Sequence, residues 1–411
     1  MKTNRRSFVG GLSAAAVLSG SRAAFAQKKY DDGATDKEIK IGHTNPYSGP
    51  ASSYGVIGKA EEAYWKSVND RGGVNGRMIK FITLDDNYSP PKTVECVRQL
   101  VEQDKVLCTF NTLGTPTNTA IHKYMNQKKV PMLFVATGAS KWGNPKEFPW
   151  TMGYQPDYHT EAVIYAKHIL ANVKDAKIGV LMQNDDYGKD YYEGLRDGLG
   201  KDVDKIVKQV TYEVTDPTVE SQVIQLKDSG ANVFFNISIP KFTAQSTRKA
   251  MEIGWKPAYY LNNVAGQVTT MKTAGFENVQ GIITAAWLKD PTDKQWSDDP
   301  EIKTWREWMA NYVPNGNVED VNYIYAYSVC FLMEQTLKKC GDNLTRENLM
   351  RQAANHQKLR VPGLLPGITV STSPTDFYPV QALQLQRFKG ETWDLFGEVM
   401  HAESSRAATL W

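Results

Sequence analysis

Three short loops carry the residues best suited to bind a small molecule. The loops span 47–54, 113–117 and 136–140, and each is rich in Gly, Ser or Thr. Each follows a predicted strand and precedes a predicted helix. Backbone N–H groups at a helix N-terminus have no partner within the helix and attract an anion or a carboxylate. The loops therefore indicate carboxylate binding.

The same residue types are ordinary turn and cap residues, which is the alternative for any single loop. Three such loops would meet at one edge of an open α/β sheet, where ligands of this architecture bind. We therefore predict a cleft at that edge. Its predicted contacts are Tyr47, Ser48, Tyr54, Leu113, Gly114, Thr115, Ala136, Thr137 and Gly138.

Residue sets that support catalysis are missing from the sequence. The six histidines are scattered, and there is no H-E-x-x-H, G-x-S-x-G, Walker or G-x-G-x-x-G motif. Asp85-Asp86 and Asp185-Asp186 end predicted strands, and adjacent residues on a strand point in opposite directions. We predict a protein that is not an enzyme and uses no metal or other cofactor. An exported α/β enzyme is the alternative.

The four cysteines raise the question of disulfides. Cys96 falls in a predicted helix and Cys108 in the next strand, so these two could pair. Cys330 and Cys340 fall in one predicted helix, which separates them by about 15 Å. That distance is too long for a bridge.

The first 26 residues have the pattern of a secretory signal peptide. A basic start at Arg5-Arg6 precedes a short apolar run, and Ala24-Phe25-Ala26 offers a cleavage site near Ala26. The paired arginines resemble a twin-arginine export signal, and an ordinary Sec signal is the alternative. We therefore expect the mature chain in the periplasm.

Removal of the leader changes the charge of the chain. The leader holds four basic residues and no acid, which leaves 44 basic against 45 acidic residues and a net charge of −1. No basic tract remains for nucleic acid or an anionic membrane surface. No later run approaches the ~18 apolar residues that span a bilayer. About 385 mature residues exceed one ordinary core, so we expect two lobes.

Short apolar strands alternate with segments of helical period along most of the chain. This rhythm predicts parallel sheets with helices on both faces. The predicted strands are 79–85, 106–110, 130–137, 176–182, 205–213, 231–238, 257–262 and 281–287. The tail differs, since 367–370, 380–388 and 392–396 read as strands joined by turns.

The loops Leu113–Thr117 and Ala136–Ala139, with Asn184–Gly188 and Gly254–Pro257, resemble the periplasmic solute-binding proteins of the Leu/Ile/Val (type I) family. The resemblance implies a two-lobed α/β fold in which each lobe is a mainly parallel sheet flanked by helices. Three hinge crossings, near residues 154, 280 and 377, would join the lobes. Lobe 1 would use residues 36–155 plus 281–377, and lobe 2 residues 156–280 plus 378–411.

The resemblance also implies a function. A monomer would close around a small carboxylate-bearing molecule and deliver it to the membrane permease of an ABC importer. A periplasmic sensing module of a signalling receptor is the alternative partner role. The further contacts implied for the closing lobe and the first crossing are Tyr154, Tyr187, Ser238, Asn262 and Asn263.

The type of ligand stays open between an amino acid and an apolar or aromatic carboxylate. In amino-acid binders of the family, an acid after the strand equivalent to 257–262 receives the ligand ammonium. Here residues 262–266 read Asn-Asn-Val-Ala-Gly and contain no acid. A buried ammonium without a partner costs several kcal/mol. Asp157, Asp185 or Asp186 are the possible substitutes.

Overall fold

The computed structural model describes residues 28–401, so the predicted signal peptide lies outside the described residues. The strands are β1 (Lys29–Tyr30), β2 (Glu38–Asn45), β3 (Met78–Asp85), β4 (Cys108–Phe110), β5 (Met132–Val135), β6 (Thr151–Gly153), β7 (Ile178–Gln183), β8 (Ile206–Tyr212), β9 (Val233–Ile237), β10 (Ala258–Leu261), β11 (Ile283–Ala286), β12 (Asn343–Leu344), β13 (Ala382–Lys389) and β14 (Thr392–His401). The α-helices are α1 (Gly55–Asp70), α2 (Pro90–Arg98), α3 (Thr115–Lys128), α4 (Tyr158–Asn172), α5 (Asp186–Leu199), α6 (Glu220–Asp228), α7 (Pro240–Glu252), α8 (Val268–Ala274), α9 (Pro300–Tyr312), α10 (Val321–Cys340) and α11 (Arg346–Ala353).

Two sheets organise these elements into two lobes. Lobe 1 is built on a parallel sheet of order β3-β2-β4-β5-β6. Lobe 2 is built on a sheet of order β14-β13-β11-β10-β9-β7-β8, which is parallel from β8 to β11. Strands β13 and β14 are antiparallel, as the sequence of the tail predicts. The two-lobed α/β prediction is confirmed.

The strands form where short apolar runs can be buried on both faces. All five residues of Val233–Ile237 are buried, as are all six of Ile178–Gln183, and these two strands are neighbours in lobe 2. Helices cover both faces of such parallel strands. In lobe 1, α10 packs on α1, where the Tyr64 hydroxyl donates to Glu334 Oε2 at 2.6 Å. The chain therefore returns to lobe 1 after β11, and it crosses between the lobes three times.

Two sequence predictions about strands need correction. The strand Ile283–Ala286, which we assigned to lobe 1, pairs with Tyr260 of β10 and with β13 in lobe 2. The second crossing therefore follows Ala286 and does not lie near residue 280. The segment 367–370 is not a strand, because its pairing is limited to a single bridge between Leu359 and Val370.

The four cysteines are free thiols, so the possible pairing of Cys96 with Cys108 is wrong. The reason is their direction, since the Cys96 thiol lies 3.8 Å from the Asp85 carbonyl oxygen at the cleft end of β3. Burial raises the pKa of the Cys108 thiol, which lies near Arg346 and Cys340 instead. Within residues 28–401 no helix is long and apolar enough to cross a membrane.

Candidate ligand-binding site

A cavity lies between the lobes at the carboxyl ends of both sheets. Its volume is about 110 Å³. A single buried water needs roughly 10–15 Å³ of such space, so the cavity has room for a small molecule. Lobe 1 and the segment after β11 line it with Tyr54, Ile57, Tyr88, Leu113, Gly114, Thr115, Ala136, Gln155, Trp287, Leu288, Asp290, Val321, Asn322 and Tyr325. Lobe 2 lines it with Tyr158, Tyr187, Ile239, Asn263, Val264, Gly266, Gln267, Ala285, Ala286 and Gln386.

The second and third of the predicted loops meet as the sequence indicates. Leu113 and Ala136 form a parallel bridge, and the Gly114 N–H donates to the Ala136 carbonyl at 3.2 Å. Gly114 has φ +102°, and a Cβ there would lie 2.5 Å from the Tyr88 ring, so the close approach requires glycine. Thr115 begins α3 immediately beyond, and the first-turn N–H groups of that helix have no acceptor within it.

Thr137 lies behind the cavity wall and braces it. Its hydroxyl is 2.6 Å from the Thr115 hydroxyl and accepts from the indole Nε1 of Trp142 at 3.2 Å. Gly138 also lies behind the wall, where its carbonyl accepts from the Tyr158 N–H at 2.8 Å. Neither residue is among those that line the cavity, and both support its wall from behind.

In lobe 2, Tyr187 lines the cavity and is held by Asn262. The Tyr187 hydroxyl donates to Asn262 Oδ1 at 2.9 Å, and Asn262 Nδ2 donates to the backbone carbonyl of Ser238 at 3.0 Å. The Ser238 side chain is buried and donates to Asn236. Asn262 and Ser238, which were also predicted site residues, therefore lie outside the lining and position Tyr187.

Tyr47, Ser48 and Tyr154 also lie outside the lining. The Tyr47 hydroxyl is 2.6 Å from Thr83 Oγ1, and the Ser48 hydroxyl donates to Asp85 Oδ2 at 2.5 Å. Both contacts turn the start of the first loop toward β3. Tyr154 is buried and packs edge-on against Trp287 and Tyr325, two rings that do line the cavity. The predicted residues that line the cavity are Tyr54, Leu113, Gly114, Thr115, Ala136, Tyr187 and Asn263.

Asn263 is fixed in the wall by a buried carboxylate beneath it. Glu161 of α4 accepts from the Asn263 N–H at 2.8 Å and from the Asn263 side-chain amide. It also accepts from the hydroxyls of Tyr165 at 2.7 Å and Tyr191 at 2.8 Å. Burial raises the pKa of Glu161 to about 7. With four donors, this carboxylate is saturated and is not available to a ligand.

The proposed substitute acids lie elsewhere. Asp157 accepts from the Thr160 N–H at the start of α4, and Asp185 accepts from the Tyr187 N–H at the start of α5. Asp186 pairs with Lys141 at 2.6 Å. None of these three lines the cavity.

Sequence reasoning missed one charged residue of the site, Asp290. It follows β11 on the second crossing, and only its position in the fold brings it to the cleft. Burial raises its pKa to about 6. Among the described residues that line the cavity, it is the one with a charged side chain. The other missed residues include four aromatic ones, Tyr88, Tyr158, Trp287 and Tyr325.

The fold and the site define a two-lobed α/β binding protein whose ligand cavity lies between the lobes. The family model described as periplasmic binding protein matches residues 38–392. The chain therefore belongs to the periplasmic binding protein family, and its predicted kinship with the Leu/Ile/Val (type I) group is confirmed. It is 24% identical over 357 residues to the Leu/Ile/Val-binding protein homolog 1 of Brucella abortus, covering 84% of this chain and 86% of that protein.

Solved structures have the same fold at low sequence identity. A branched chain amino acid ABC transporter protein from Thermus thermophilus, with bound valine, has a TM-score of 0.80 and 17% identity, covering 91% of this chain and 99% of that one. A solute binding protein from Rhodopseudomonas palustris BisB5, in complex with 3,4-dihydroxy benzoic acid, has a TM-score of 0.75 and 18% identity, covering 90% and 99%. These likenesses establish the fold.

Proposed function

We propose that this protein is the extracytoplasmic substrate-binding component of an ABC importer and that it captures a small carboxylate-bearing solute. The observation that carries the proposal is the cavity between the lobes, whose walls come from the carboxyl ends of both sheets. Both lobes contribute to one site, so a ligand makes its full set of contacts in the closed arrangement. Ligand binding therefore shifts the population toward closure.

The carboxylate end of the ligand would lie against the start of α3. The Gly114 N–H is already bonded to Ala136, and the Thr137 hydroxyl is shared with Thr115 and Trp142. Pro116 has no N–H, and the Asn118 N–H donates to the Gly114 carbonyl at 3.1 Å, so the N–H groups of Thr115 and Thr117 remain as donors at the start of α3. A helix N-terminus stabilises a negative charge by electrostatics as well as by hydrogen bonds.

The rest of the ligand would be apolar or aromatic. Five tyrosines and a tryptophan face the cavity together with Ile57, Leu113, Ile239, Val264, Leu288 and Val321. The proteins with bound valine and with bound 3,4-dihydroxy benzoic acid differ in ligand but share this fold. Both kinds of carboxylate therefore belong in a screen for this protein.

A thermal-shift screen of amino acids, aromatic acids, short fatty acids and their amides tests the binding proposal. A ligand present at a hundredfold its Kd adds about 2.7 kcal/mol of stability. Thr115→Tyr should remove the shift by filling the cavity, whereas Ala120→Tyr, on the exposed face of α3, should keep it. Acids that stabilise no better than their neutral amides would contradict the carboxylate site.

Uptake measurements test the importer role separately. Uptake of the labelled ligand should fall in cells that lack this protein and return when it is restored. If uptake is unchanged while the purified protein still binds the ligand, the importer role is wrong and a sensing role takes its place.

A further inference from the structure

Asp290 is the one carboxylate among the described residues that line the cavity. It is 7% exposed and lines the cavity. The Thr292 N–H and the Thr292 hydroxyl both donate to Oδ1, at 2.9 and 2.6 Å. Oδ2 receives no hydrogen bond from the described residues. One oxygen of this largely buried carboxylate, beside the cavity, is therefore left for a donor that the ligand brings.

The surroundings of Asp290 contain no compensating positive charge on the cavity side. The adjacent Lys289 extends away, with its ammonium 2.6 Å from Asp299 and 2.9 Å from Glu301. The charged groups that act on Asp290 are Asp293 and Asp320, which are both acidic and raise its pKa further. Taking an ionised carboxylate out of water without a partner is unfavourable. A cation from the ligand would remove that cost.

The walls of the cavity suit an organic cation. The lining includes the aromatic rings of Tyr54, Tyr88, Tyr158, Tyr187, Tyr325 and Trp287, and the face of such a ring attracts an ammonium group. Within residues 28–401, the side chains that line the cavity include no Lys, Arg or His to repel one. The described residues also include no group of three His, Cys, Asp or Glu side chains placed to hold a metal ion, so an inorganic cation lacks the ligands that it needs.

We propose that Asp290 receives a protonated nitrogen of the ligand and thereby determines the substrate class. The substrate carries an ammonium group at the second crossing and an apolar or aromatic body between the tyrosines. This inference rests on the proposed function, since the carboxylate would lie at α3. It gives an ammonium group the partner that the acid-free segment 262–266 lacks.

The position of Asp290 also links recognition to closure. It lies on a crossing that joins the lobes, between β11 of lobe 2 and α9. An ammonium bound there contacts the hinge segment while the body of the ligand contacts both lobes. The ammonium end of the ligand would therefore be recognised at the hinge segment.

Matched ligand sets distinguish this inference from the proposed function. The first set is phenylalanine, 3-phenylpropanoate and 2-phenylethylamine, and the second is leucine, 4-methylpentanoate and 3-methylbutylamine. In at least one set we expect the amino acid to bind at least tenfold more tightly than the acid that lacks nitrogen. Equal binding of these two would overturn the role of Asp290 and leave the carboxylate proposal intact.

The amines of the two sets test the carboxylate end of the ligand, because they lack that group. If an amine binds as tightly as its amino acid, the role of Asp290 is supported and the carboxylate part of the proposed function fails. If no member of either set binds, both proposals are overturned for small apolar solutes.

Asp290→Asn tests the residue directly, because asparagine keeps an acceptor for Thr292 and replaces the charge and the free oxygen Oδ2 with a neutral NH2 group. We expect affinity for the amino acid or amine to fall at least tenfold and affinity for the nitrogen-free acid to stay equal or rise. Asp86→Asn is the matched control: Asp86 is also buried, its pKa is also raised to about 6, and it does not line the cavity. Equal losses for all three ligands, or the same loss in the control, would overturn the proposal.

Discussion

The Tyr54 hydroxyl donates to the Val264 backbone carbonyl at 2.7 Å, and this hydrogen bond joins the two lobes across the cleft. Tyr54 precedes α1 in lobe 1, whereas Val264 follows β10 in lobe 2. Both residues line the cavity. The contact therefore exists only when the lobes are together, and it closes one side of the site.

Tyr54→Phe should weaken ligand binding by about fivefold, because one hydrogen bond of the closed form contributes about 1 kcal/mol. The ring remains to pack against the cavity, so thermal stability without ligand should change little. Titration calorimetry measures the affinity. Tyr260→Phe is the matched control, since its hydroxyl bonds to His168 within lobe 2. Equal affinity in Tyr54→Phe and in the original protein would contradict a role for this contact in closure.

A second set of contacts between the lobes involves Asp190 of α5. It accepts from the Ser140 N–H at 2.9 Å and from the Ser140 hydroxyl at 2.5 Å, and Ser140 follows β5 in lobe 1. Asp190→Ala should shift the ligand-free protein toward an open form and increase its radius of gyration in small-angle X-ray scattering. Asp197→Ala should not, because Asp197 pairs with His159 inside lobe 2. Identical scattering of the two variants would count against the interlobe role of Asp190.

Hydrophobic periodicity was sufficient to predict most of the fold. Buried runs such as Val233–Ile237 and Ile178–Gln183 lie within one or two residues of their predicted bounds. The segment 367–370 was misread, because a short apolar run can be buried against other elements without pairing along its length. Val370 is buried and pairs only with Leu359.

The residues that line the cavity were harder to predict, because a side chain lines it only if it points toward it. Its position in the loop after a strand is not enough. Thr115 and Thr137 both lie in loops that follow strands. Thr115 lines the cavity, whereas Thr137 supports the cavity wall from behind. Asp290 belongs to no recognisable sequence motif. Its place in the cleft depends on where β11 joins the sheet of lobe 2. That pairing is a long-range relationship that local sequence does not encode.

Gly138→Ala should disturb the first crossing. A Cβ at Gly138 would lie 2.4 Å from the Pro156 carbonyl oxygen and 2.6 Å from the Tyr158 ring, which lines the cavity. Overpacking of this kind costs about 1–3 kcal/mol, and the shift of Tyr158 should weaken ligand binding as well. Gly153→Ala is the control, because its Cβ would meet Trp142 at an ordinary 3.5 Å. Denaturant unfolding and ligand titration should separate the variants, and equal stability of both would contradict the close packing at Gly138.

Asp290→Asn should change how stability depends on pH. Burial raises the pKa of Asp290 to about 6 in the folded protein from 3.8, so the folded state binds more protons than the unfolded state between those values. The Asp290 contribution to the free energy of unfolding therefore falls as pH rises from about 4 to about 6, and it is constant above that. This difference in pKa between the folded and unfolded states corresponds to about 3 kcal/mol. Asp86 and Asp320 have pKa values raised in the same direction and remain in the variant, so the difference between the two proteins isolates Asp290.

Urea unfolding in steps from pH 4 to pH 8, without ligand, should show the variant gaining stability over the original protein across this window. Parallel curves would mean that Asp290 does not carry a buried charge at neutral pH.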